Sequence, residues 1–185
     1  MKKIVFAALM AASAFAASPA FAQASGTVDV TGTVAQRCTA VTPITGSITL
    51  GELAKTNGTV DAAFSGATNG LSRMFTVRCN GVNPQLSVNA RALVNSAATN
   101  TPNGYTNTVH YTASLSAIGA KGGTTTVADQ SLANGATTGQ IGDRLAAVSN
   151  NLTLTIGSGV TTDSTAILEA GTYQGNVDII VSPAP

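Results

Sequence analysis

Apolar and polar residues alternate along most of this chain, and the alternation has the period of a β-strand. Residues 26–34 (GTVDVTGTV) set Val28, Val30, Gly32 and Val34 on one face and Asp29, Thr31 and Thr33 on the other. Residues 47–53 alternate through Ile48 and Leu50, and 73–79 place Phe75, Val77 and Cys79 together. Residues 86–94 do the same with Leu86, Val88, Ala90 and Ala92, and 105–115 with Tyr105, Val109, Tyr111, Ala113 and Leu115. Leu152, Leu154 and Ile156 follow, and a last strand over 172–182 opposes Tyr173, Val177, Ile179 and Val181 to Thr172, Asn176, Asp178 and Ser182. Turn dipeptides punctuate these runs, among them Asn57-Gly58, Asn80-Gly81, Asn103-Gly104 and Asn134-Gly135. Short strands separated by Asn-Gly turns predict an all-β antiparallel sandwich or barrel. Only 140–149 has the pattern of a short helix, and the Gly/Thr/Ala-rich span 116–140 reads as long loops or a β-excursion.

The first 22 residues stand apart. Lys2 and Lys3 precede an apolar run over 4–17, and Ala20-Phe21-Ala22 has the small-x-small form of a signal-peptidase site. The expectation is a cleaved signal peptide over 1–22 and export of the remainder, with no transmembrane segment in the mature chain. Composition then narrows the field. Of 185 residues, nine are Lys or Arg and eight are Asp or Glu, a charged fraction of 9%, against about 25% in an average protein. The formal charge of +1 gives no footprint for nucleic acid. One His and two Cys are too few for a zinc site built from those ligands. Five Phe, three Tyr and no Trp cannot supply the aromatic girdles of a membrane barrel. No cofactor or metal is expected.

In an oxidising compartment the single cysteine pair, Cys38 and Cys79, is expected to form a disulfide. Nucleophilic catalysis needs a nucleophile, a base and an orienting group. The one imidazole, His110, lies mid-strand on the polar face with no carboxylate beside it in sequence, and Asp143 next to Arg144 reads as a solvated pair. The chain is therefore not expected to be an enzyme.

The N-terminal strand differs from the others. It runs from near the mature terminus into Gln36, Arg37 and Cys38 without a turn, so it is free to act as an arm that adds to the open sheet edge of another molecule. GTVDVTGTVAQRC (26–38), SITLGELA (47–54), FTVRCNG (75–81) and AGTYQGNVDIIVSP (170–183), in that order, resemble chaperone–usher pilus (fimbrial) subunits, especially the archaic type and spore coat protein U domains. The chain departs from that family at its end, Ser182-Pro183-Ala184-Pro185, where members usually finish on an alternating, often aromatic strand.

The resemblance implies an immunoglobulin-like antiparallel sandwich, incomplete because one strand is supplied in trans. It implies a donor strand within 23–37, with Val28, Val30, Gly32 and Val34 filling pockets, and a single domain over 38–185. Tyr173, Val177, Ile179 and Val181 would line the acceptor groove, and Cys38 and Cys79 would join the first two core strands. The implied function is a structural subunit of a bacterial surface fibre (pilus) or coat, exported through the periplasm and assembled by donor-strand exchange. Its implied partners are copies of itself or related subunits, a periplasmic chaperone and an outer-membrane usher. The alternative is a self-contained secreted β-sandwich that binds or adheres.

Overall fold

The computed structural model describes residues 27–99 and 101–185. The expected signal peptide, 1–22, lies outside them, as do residues 23–26 of the expected donor segment. The chain divides into two units at Val34, and residues 35–185 build the sandwich. Among the described residues there are strands and no helix.

Twelve strands follow one another: β1 (Cys38–Ala40), β2 (Ser72–Phe75), β3 (Val77–Cys79), β4 (Gln85–Ala90), β5 (Leu93–Val94), β6 (Tyr105–Thr106), β7 (Thr108–Ile118), β8 (Thr124–Gln130), β9 (Thr137–Gln140), β10 (Leu152–Val160), β11 (Ile167–Leu168) and β12 (Val177–Ser182). One sheet has the order β2-β10-β7, with β5 and β8 both paired to the far side of β7. The other has the order β12-β4-β9. Every ladder is antiparallel except the short β6–β11 pair. The fold is thus an all-β antiparallel sandwich.

The core lies between the sheets, where the alternating faces meet. Leu86, Val88 and Ala90 of β4 oppose Val109, Tyr111, Ala113, Leu115 and Ala117 of β7, flanked by Leu152, Leu154 and Ile156 of β10; all are buried. Ser and Thr on the alternate positions of β7 and β10 face outward, and two of them pair across strands with a neighbour (Ser116–Thr126 2.8 Å, Ser72–Thr155 3.1 Å).

One crossing needs a side chain to complete it. After Phe75 the chain leaves β10, and β3 pairs with β1 instead. At this break the fully buried Asn151 accepts the Val77 amide at 2.9 Å through Oδ1, and its Nδ2 donates to the Val77 and Ala146 carbonyls, each at 2.7 Å. An amide side chain replaces a missing strand partner and pairs the Val77 amide and carbonyl. Beside it, Cys38 and Cys79 stand opposite each other in the β1–β3 ladder and form the disulfide, with Cα atoms 4.1 Å apart.

Three segments differ from expectation, and a fourth, 116–140, takes one of its two expected forms. The 140–149 stretch is not helical: Gly142 has φ +76° and the chain there is irregular. The 116–140 span is a β-excursion, formed by the β7–β8 hairpin and β9. Tyr105 is 45% exposed instead of inward, because β6 belongs to the separate β6–β11 pair and does not extend β7. Residues 47–53 form no strand. Gly51 there has φ +67°, and a Cβ on it would collide with the Gly66 carbonyl, so the chain turns out of the extended form where a ladder would have to continue.

Candidate functional site

The last strand has one open side. Its side chains alternate as the sequence requires: Val177, Ile179 and Val181 pack against the core, while Asp178 and Ile180 are exposed. β12 pairs with β4 in the register Val177↔Ala90 to Ser182↔Gln85. The Arg91 amide donates to the Asn176 carbonyl at 2.9 Å, which fixes the hydrogen-bonding phase. In an antiparallel pair, bonded and non-bonded residue pairs alternate, so Asp178, Ile180 and Ser182 bond to β4. The amides and carbonyls of Val177, Ile179 and Val181 point away from it. Among the described residues no strand lies on that side.

Below this edge is an apolar cleft of about 100 Å³. Val177 and Ile179 form one wall, Ile44 and Ile48 the other, and Phe75 and Leu154 of the opposite sheet form the floor. Arg73 also lines it, but its Nη1 donates to the Ser72 and Asn69 carbonyls (2.8 and 3.2 Å), which occupies the cation locally. The 44–48 wall carries no ladder: Pro43 has no amide to donate, and Gly46 sits at φ +152°. The sandwich is thus unclosed at this corner, with apolar side chains beneath unpaired backbone.

Of the four residues expected to line an acceptor groove, Val177 and Ile179 face the cleft. Val181 lies further along β12, and Tyr173 lies before the strand, where its hydroxyl donates to the Glu169 and Thr106 carbonyls (2.9 and 3.1 Å). Burial raises the pKa of Tyr173 above the usual phenol value, with the nearby Glu169 carboxylate adding to it. Tyr111, whose hydroxyl donates to the Asn176 carbonyl at 3.1 Å just ahead of β12, is pushed up to about 12, again mainly by burial. Ile44, Ile48, Phe75 and Leu154 were not assigned to the groove from sequence. Ile48 and Phe75 carried the right alternation, but which strands adjoin is a non-local property.

The expected donor residues are placed differently from a strand. Residues 27–37 carry no strand, and Val28, Val30 and Val34 are 85%, 92% and 77% exposed. A Cβ on Gly32 would meet nothing within 4 Å. Alternation alone forms no ladder; a strand needs a partner. From Ala35 onward the chain is fixed by Asn80, whose Oδ1 accepts the Arg37 amide (2.7 Å) and whose Nδ2 donates to the Ala35 carbonyl (2.9 Å).

The groups weighed for other chemistry are also placed. His110 is on the outer face of β7, with Nδ1 3.2 Å from the Ser131 carbonyl. Asp143 accepts the amides of Lys121 and Arg144, both at 2.7 Å, and these bonds hold its carboxyl below the usual range. It therefore caps a loop, and the neighbouring guanidinium bonds elsewhere, to the Asn80 carbonyl at 3.1 Å. Among the described residues no three His, Cys, Asp or Glu side chains gather into a set that could ligate a metal ion. Comparison with protein-family models, curated proteins and solved structures finds no match to this chain.

Proposed function

We propose that this chain is a structural subunit of a bacterial surface fibre or coat, assembled by strand donation between copies. In this reading the sandwich is an incomplete immunoglobulin-like fold. Residues 27–34 of a neighbouring copy lie along the open side of β12, with Val28, Val30, Gly32 and Val34 directed into the corner. The disulfide, together with the signal-like residues 1–22, fits export through the periplasm. A periplasmic chaperone would cover the edge before assembly, and an outer-membrane usher would exchange it for the arm.

The observation that carries the reading is the pairing of unbonded backbone with an apolar cleft at one corner. An exposed strand edge over apolar side chains invites addition of a further strand. The arm supplies matching chemistry: burying three Val side chains is worth about 5 kcal/mol by area. Main-chain bonds to Val177, Ile179 and Val181 add about 1 kcal/mol each.

The test is to express the exported chain with and without residues 23–36 and run it in SDS without boiling. Heat-sensitive ladders that require the arm support the reading. A stable monomer whose arm pairs within its own chain contradicts it and favours a self-contained secreted module.

A further inference from the structure

Most of the exposed charged side chains of residues 35–185 lie at the two ends of the strands, while Arg73 lies in the cleft beside β12 and Asp129 is buried. Where β7 finishes, Arg37, Arg78, Lys121 and Arg144 are all exposed, and their neighbourhood is fixed by Asn80 and Asp143. The Arg37 amide bonds Asn80 Oδ1, Arg144 Nη1 bonds the Asn80 carbonyl, and the Lys121 and Arg144 amides bond Asp143. Arg78 stands on β3 beside Cys79. Four cations against the one carboxylate of Asp143 leave this end at +3.

Where β7 begins and β10 finishes, the balance reverses. Asp163 follows β10, Glu169 is tied to β6, just ahead of β7, by its amide bond to the Thr106 carbonyl (2.9 Å), and Asp61 joins through the adjacent bond from the Gly159 amide to the Ala62 carbonyl (2.9 Å). Lys55 is the cation among them: its carbonyl accepts the Gly58 amide, and the Gly58 carbonyl accepts the Leu168 amide. Glu52 adjoins them, since its Oε1 accepts the Ala54 amide and the Leu53 carbonyl accepts the Asp61 amide. Four carboxylates against one cation leave this end at −3. Asp61 and Asp163 each accept amides of their own loops, Ser65 and Ala63 for the first and Thr165 for the second, so they remain ionised into the acid range. Nearby, Arg91 and Asp178 neutralise each other at 3.2 Å. Between the ends, the outward positions Thr153, Thr155, Ser114, Ser116 and Thr126 carry no charge.

From this polarity we infer that the basic end of one copy docks on the acidic end of the next, in a head-to-tail contact between copies of this chain. The contact rests on the strand-donation reading for its tether, because the arm joins the sandwich at the basic end, where Asn80 holds Ala35 and Arg37. Two copies meeting through like ends would face repulsion between +3 and +3 or −3 and −3, so a closed two-fold pair through the ends is disfavoured. A head-to-tail contact repeats without closing and grows a filament with one polarity. Complementary ends act first on the rate and orientation of encounter, and salt weakens them, since the screening length falls from about 30 Å at 0.01 M to about 3 Å at 1 M.

The experiment follows self-association of the exported chain by light scattering, with and without excess synthetic peptide of residues 23–36 as competitor for the open edge. Wild type should associate about tenfold more slowly in 500 mM than in 20 mM salt. Arg78→Glu with Lys121→Glu should slow association at low salt, as should Asp163→Lys with Glu169→Lys. Mixing the two variants should restore it, which an anionic partner of another kind at the basic end could not do. Intact disulfide and unchanged melting temperature establish that the variants are folded. Association that the peptide blocks but that ignores salt and both reversals overturns the end contact and leaves strand donation standing. Association that responds to salt and reversal but not to peptide supports the end contact and removes strand donation as its tether. A wild-type chain that stays monomeric at low salt overturns both.

Discussion

The two corners of this sandwich are finished differently. At one, β9 pairs along β4 as far as Val88↔Thr137 and then stops. There Asp129 of β8 takes over: its Oδ2 accepts the Ala90 amide at 2.8 Å, and its Oδ1 accepts the Thr137 hydroxyl at 2.6 Å. Thr125 adds a bond from its hydroxyl to the Ile141 carbonyl at 2.9 Å. A buried carboxylate and the hydroxyl bound to it thus take over where the β4–β9 pairing stops, and Thr125 ties β8 to the chain beyond the other end of β9. At the other corner, beyond β12, no side chain among the described residues plays that part. The backbone of Val177, Ile179 and Val181 faces outward over a cleft lined by Ile44, Ile48, Phe75 and Leu154. The same chain that uses a buried acid to satisfy one edge leaves the other open to solvent among the described residues.

The largest perturbation should strike both corners alike. Leu115→Ala, in the fully buried face of β7, should cost about 3 kcal/mol in urea unfolding, with or without added arm peptide. Next, Asp129→Ala should cost about 2 kcal/mol by leaving the Ala90 amide buried without a partner. Its effect should be the same in monomer and assembly, since the closed corner meets no partner. A loss confined to the assembled form would break the comparison.

Ile179→Ala should behave in the opposite way. In the free chain, where Ile179 is half-buried, the loss should stay below about 1 kcal/mol; arm-peptide affinity should fall about tenfold, since a shared apolar contact is lost. A further effect concerns pH. Tyr111 is raised to about 12, so its neutral form is favoured in the fold. The stability it contributes is complete below the ordinary phenol value of about 10 and is lost as pH rises from there toward about 12. Thermal melts between pH 8 and 12 should be flat at first and then fall. A decline already complete by pH 10 would contradict the burial of Tyr111 against Asn176.

Much of the fold could be read from period-2 alternation, because an antiparallel sheet with one wet face writes that pattern directly into its residues. β4, β7, β10 and β12 were visible in this way, and the cysteine pair followed from count and compartment. Where the reading failed, the cause was non-local. Residues 27–34 and 47–53 alternate as strands do but carry no ladder, since alternation specifies faces and says nothing of partners. The 140–149 segment looked helical until Gly142 took φ +76°. Asp129 sits in phase with the buried Val127, but the sequence does not say that its carboxylate meets the Ala90 amide. The family resemblance implied a groove along the last strand, but Ile44, Ile48, Phe75 and Leu154, which lie beside Val177 and Ile179, were not visible, because they depend on which segments lie beside β12.

The most direct test of the open edge is amide exchange along β12, read residue by residue before and after addition of the 23–36 peptide to the full chain. In β12 the amides of Asp178, Ile180 and Ser182 already bond to β4, while those of Val177, Ile179 and Val181 face outward. Strand addition should raise protection of the second set at least about 100-fold, the equivalent of stabilising their closed state by about 2.7 kcal/mol, and change the first set far less. Uniform protection of all six, or none, would contradict the account.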